Sequence, residues 1–64
     1  MNTWIGRLVD EEKQLEERIS KLRKFIASDN FVNLEETDKT LLTLQHSVMR
    51  TYHQIIQKRL ARIL

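Results

Sequence analysis

The chain has 64 residues, 41% hydrophobic and 31% charged, with a net charge of +2 and neither cysteine nor proline. So short a chain needs disulfides, a metal or association to offset roughly 1.5 kcal/mol of conformational entropy per ordered residue, and without cysteine it has no disulfide or thiolate metal site. No signal-peptide core and no apolar run of about 18 residues occurs, which predicts a soluble chain kept in the cytoplasm, off the membrane, with self-association as its route to stability.

The first element is a helix over about residues 3–27. Its apolar positions Trp4, Ile5, Leu8, Leu15, Ile19, Leu22 and Ile26 keep within about 100° of the helix circumference, a heptad seam that one neighbouring helix covers. Glu12 is the one charge inside that seam. Ser28-Asp29-Asn30 then groups side chains that compete for helical backbone bonds, so the helix should end near Ala27.

A loop over about residues 28–33 follows, with Phe31 expected to fold back as a plug over Ile26 and Leu41. Asn33-Leu34-Glu35-Glu36 has the pattern of a capping box, which starts the second helix near Leu34 and runs it to about residue 63. In that helix Leu41, Leu44, Val48 and Ile55 fall on one side and Leu42, Met49, Ile56 and Leu60 on the other, together spanning roughly 160°. One antiparallel partner covers less than that. The fold class is therefore all-α, a two-helix antiparallel hairpin forming one domain over residues 1–64 and assembling into a homo-oligomeric helical bundle. Assemblies of two, four or six copies can each bury the extra face, and any ligand site should lie between protomers.

Charge is unevenly placed. All nine acidic residues lie in positions 1–38, and from Lys39 onward there are only cations: Lys39, Arg50, Lys58, Arg59 and Arg62, with His46 and His53. Helix-dipole complementarity accounts for part of this, and an anionic partner such as nucleic acid, a nucleotide or an acidic lipid surface for the rest.

Three sets of polar residues carry the functional question. Gln45, Tyr52 and Arg59, spaced by seven, project from the middle of the second helix's apolar stripe. Either Gln45 sets register, Tyr52 keeps its hydroxyl at an edge and Arg59 pairs with Glu12, or the three line a pocket where a ring and a guanidinium meet a base and a phosphate. Arg7, Gln14, Arg18, Lys21 and Phe25 form a strip beside the first seam, with Trp4 at its end. Stacking and charge-assisted bonds from such a strip suit a nucleotide. The plainer account has Trp4 stapling the helix start to the core, with Arg7 and Arg18 paired to Glu11 and Glu17. His46, Arg50 and His53 form a third strip, read as solvated.

Catalysis and metal binding find no support at this level. A long hairpin offers no turn or cleft to present a nucleophile beside a base. His46 and His53 lie about 10 Å apart along the axis, too far for one metal to bridge. Glu17 and Lys21 are expected to form an i,i+4 pair. The chain is thus expected to be no enzyme and to need no cofactor or metal.

The run Trp4-Ile5-x-Arg7-Leu8-x-x-Glu11, followed by Leu15-x-x-Arg18-Ile19-x-Lys21-Leu22-x-x-Phe25-Ile26-x-Ser28 and then Phe31, Leu34, Leu41-Leu42, Gln45, Met49, Tyr52 and Arg59-Leu60, resembles the phage anti-CBASS cyclic-nucleotide sponges. Their helical hairpin is shared with a phage inhibitor of Thoeris signalling. The resemblance covers nearly the whole chain, mostly at apolar heptad positions. It implies a non-catalytic homo-oligomer, a hexamer in preference to a dimer or tetramer, that holds cyclic di- or trinucleotides between protomers in the cytoplasm of the infected bacterial host. It gives Trp4 the base-stacking role, where a tyrosine is the family's residue, and Arg18 or Lys21 the phosphate role. With Arg7, Tyr52 and Arg59 these make the expected ligand-binding set. The alternatives are a small RNA-binding hairpin dimer and a structural or adaptor coiled coil.

Overall fold

The computed structural model describes residues 3–64, which form α1 (Trp4–Ile26), a single turn α2 (Asp29–Val32) and α3 (Glu36–Ile63). α1 begins where Thr3, in extended conformation, accepts the Gly6 N–H on its hydroxyl at 3.0 Å, satisfying one donor that the first turn leaves free. It ends where the Ser28 hydroxyl donates to the Phe25 carbonyl at 2.6 Å.

The connection differs from the sequence expectation. Residues 29–32 wind into a turn of helix, and Asn33 closes that turn with φ −82° and ψ −4°. An N-cap needs extended backbone, so the capping box expected at Asn33 does not form. Glu35, at φ −65° and ψ 152°, precedes α3 without a side-chain cap bond, and the helix starts at Glu36 rather than near Leu34. Glu36 and Asp38 in its first turn complement the helix dipole instead. Phe31 does fold back, but onto Phe25, edge to face with ring centroids 6.4 Å apart. Leu41 stays exposed.

α1 and α3 pack antiparallel, since residues 27–35 alone connect the end of one to the start of the other and the pair together is 44 Å long; the Glu11–Tyr52 and Glu12–His53 contacts cross between them. The described residues measure 44 × 18 × 14 Å, about the length of α3 and barely two helices wide, so they form no third layer. The inward positions of α1 are Ile5, Leu8, Glu12, Leu15, Ile19, Leu22 and Ile26; those of α3 are Leu42, His46, Met49, His53, Ile56 and Leu60. Both rows alternate steps of three and four, the spacing of a coiled-coil seam. Among the described residues only Leu8, Leu15 and Ile56 are buried hydrophobics, with Ile19, Met49 and Leu60 packed against them.

The other edge of α3 is bare. Leu41, Leu44, Val48, Tyr52 and Ile55 are all exposed, Val48 by 67%, in a stripe roughly 21 Å long. The mismatch expected between the two helices is therefore a feature of the folded chain. Among the described residues, no helix is long and apolar enough to cross a membrane.

Candidate functional site

The position before each seam residue lies on the same flank of both helices, because they run antiparallel. On α1 this row is Trp4, Arg7, Glu11, Gln14, Arg18, Lys21 and Phe25, all exposed; on α3 it includes Leu41, Val48, Tyr52, Ile55 and Arg59, also exposed. A hydrogen bond from the Tyr52 hydroxyl to the Glu11 carboxylate ties the two rows together. That bond, with lesser contributions from desolvation and the Glu11 charge, raises the Tyr52 pKa above its ordinary value, and Arg59 opposes the rise. Every residue of the expected ligand-binding set thus lies on the flank that also carries the bare stripe.

The flank places those residues in two groups. Trp4, 54% exposed, lies near the level of Arg59 in the register that Glu11–Tyr52 defines, with Arg7 one turn further along α1. Arg18 and Lys21 are 14 and 17 residues beyond Trp4, roughly 21–26 Å along the axis. One nucleotide cannot touch both groups on a single chain. Two copies laid antiparallel across the bare stripe would bring the Trp4 end of one to the Arg18–Lys21 end of the other.

Several plainer pairings are absent. Trp4 does not staple the helix to the core. Among the described residues the ion pairs are Lys39–Glu36 at 3.3 Å and His53–Glu12 at 2.9 Å, so Arg7 and Arg18 are unpaired with Glu11 and Glu17, and Glu17–Lys21 does not form. Gln45 directs its amide to the Met49 sulfur at 3.8 Å from an exposed position rather than setting register in the seam.

The opposite flank holds what the sequence reading missed. Glu12 pairs with His53 and not with Arg59, both side chains about one-sixth exposed. A carboxylate in a seam needs a partner at the matching seam position, and the antiparallel register puts His53 there while Arg59 faces outward. His46 and His53 are therefore interhelical residues, not a solvated strip, and the buried His46 Nε2 has no partner among the described residues. Beside the pair, Glu16, Ile19, Arg50, His53, Gln54 and Gln57 line a shallow cleft of about 240 Å³. One ligand atom each from Glu12, Glu16 and His53 lies within 4.8 Å of the others. The signal available in the sequence was Glu12 itself, a charge on the first seam that demands a basic residue from the second.

A family model described as Sequestin matches residues 2–62 of the chain. Comparisons with curated proteins and with solved structures return no match.

Proposed function

The chain belongs to the Sequestin family, a name that denotes sequestering, and from that premise we propose that it is a non-catalytic phage anti-defence protein that withdraws cyclic di- or trinucleotide immune signals, those of CBASS first among them, into pockets between its own copies. The observation that carries this reading is the shared flank: an apolar stripe of α3 left bare by α1, bordered by Trp4, Arg7, Arg18, Lys21, Tyr52 and Arg59. Apolar surface of that extent favours burial against a second copy. Stacking on Trp4 and charge-assisted bonds from Arg18 or Lys21 then supply base and phosphate recognition at the junction. The assembly is a homo-oligomer, with six copies favoured over two or four. It acts in the cytoplasm of the infected host and needs no cofactor.

Isothermal titration with cyclic di- and trinucleotides and cyclic ADP-ribose isomers tests the proposal, with micromolar or tighter binding expected for at least one. No heat with any of them rejects it. Native mass spectrometry of protein from cells making such nucleotides reports copy number and retained ligand together. A second reading rests on the wholly cationic run from Lys39 to Leu64, which suits an RNA-binding hairpin dimer. It predicts affinity that falls linearly with log salt across many phosphates, where a sponge binds a free nucleotide without RNA.

A further inference from the structure

We infer that Glu12, Glu16 and His53 form a binding site for a divalent transition-metal ion of the zinc type, on the flank opposite the proposed nucleotide pocket and independent of it. The three residues come from both helices: Glu12 and Glu16 are one turn apart on α1, and His53 crosses from α3 with its Nε2 at 2.9 Å from Glu12 Oε1. The donor atoms of all three fall within 4.8 Å of one another. A tetrahedral zinc ion with bonds of about 2.1 Å sets its ligands about 3.4 Å apart. Closing the widest separation, at most 4.8 Å, to that spacing takes a movement of at most about 1.4 Å.

Charge favours occupancy. Two carboxylates converge on one imidazole, so even a protonated His53 leaves the cluster a net negative charge where Glu12 and His53 are already mostly withdrawn from water. Arg50 lines the adjoining cleft but pairs with neither glutamate among the described residues. A divalent ion neutralises both carboxylates at once. The donor set of one nitrogen and two oxygens suits zinc and its first-row neighbours, whereas magnesium prefers a shell of oxygens. Glu16 and His53 line the cleft, which provides the entry path and access for water to complete the ion's shell.

Titration of the metal-free full chain with zinc chloride alone, followed by calorimetry, tests this. The expected result is one ion per chain in the micromolar range and no comparable heat from magnesium chloride. Glu16→Gln, at an exposed position, should weaken zinc binding by at least about tenfold, the loss that removing even an outer-shell partner causes at a metal site, with the helical circular dichroism unchanged. His53→Asn should abolish it. Absence of zinc binding overturns the proposal, as does a Glu16→Gln chain that binds zinc like the parent or magnesium bound as tightly as zinc. None of these outcomes depends on whether a nucleotide binds the other flank.

Discussion

Along α3, Leu42, Met49, Ile56 and Leu60 turn toward α1, while Leu41, Leu44, Val48 and Ile55, an equally apolar set, face outward, about 100° around the helix. The inward edge also carries His46 and His53, and the outward edge Gln45, Tyr52 and Arg59. α1 covers the edge with two histidines and leaves the one with leucine and valine exposed. On the inward edge His53 is met by Glu12, and a paired polar group in a seam selects register, whereas the buried His46 Nε2 has no partner among the described residues.

The largest test of that contrast removes the inward anchor. Ile56 is fully buried, so Ile56→Ala should destabilise the hairpin by about 2–5 kcal/mol, read as a lowered midpoint of thermal unfolding by circular dichroism. An unchanged midpoint would mean that α1 and α3 do not pack along this edge in solution. On the outward edge, Val48→Asp should leave helicity intact and weaken self-association about ten- to a hundredfold, the equivalent of the burial of one valine side chain. Light scattering across a dilution series separates the two effects. If Val48→Asp chains assemble like the parent, the bare stripe is not the contact between copies.

Next in size is Trp4→Ala. Loss of a stacked base costs about 1–3 kcal/mol, roughly 5- to 150-fold in affinity, and because Trp4 is more than half exposed the thermal midpoint of the chain should hardly move. A midpoint that falls while affinity holds would return Trp4 to a packing role. The smallest effect concerns Tyr52. Its pKa is raised by the bond to Glu11, so the stabilisation from that bond is fully present below the ordinary tyrosine pKa of about 10 and is lost as pH rises through the higher folded value. The chain has a single tyrosine, so ultraviolet titration of the phenolate reports it directly. Glu11→Ala should lower the titration midpoint, and an unmoved midpoint would mean that the two rows of the flank are not joined there.

Much of the architecture was legible in the residues. The heptad rows located both helices to within a residue or two, and Ser28 marked the end of α1 because its hydroxyl satisfies a terminal carbonyl whatever else the chain does. Asn33 misled because capping depends on backbone conformation as well as residue type. Four residues with no strong periodicity closed into a helical turn and carried Asn33 out of extended backbone. Spacing alone placed Arg7, Arg18 and Lys21 on a strip beside the first seam with Trp4 at its end, whereas Tyr52 and Arg59, read as the middle of the second helix's apolar stripe, lie exposed on the same flank. That they share one flank follows from the antiparallel packing, and that they divide into two groups along it follows from their separation in sequence. The Glu12–Glu16–His53 cluster lay hidden because His53 is 37 and 41 positions from Glu16 and Glu12, across the connection.

From the sequence alone came the helical class, the hairpin, the excess of apolar surface on the second helix and the one-sided charge, since each depends on residues near one another along the chain and on the helical period. Which edge of α3 turned inward was decided only in the tertiary structure. Two edges of nearly equal hydrophobicity compete for one partner, and the balance is tipped by contacts between residues distant in sequence. With Glu12 in the seam of α1, the edge of α3 that turned inward is the one whose His53 meets that carboxylate at 2.9 Å.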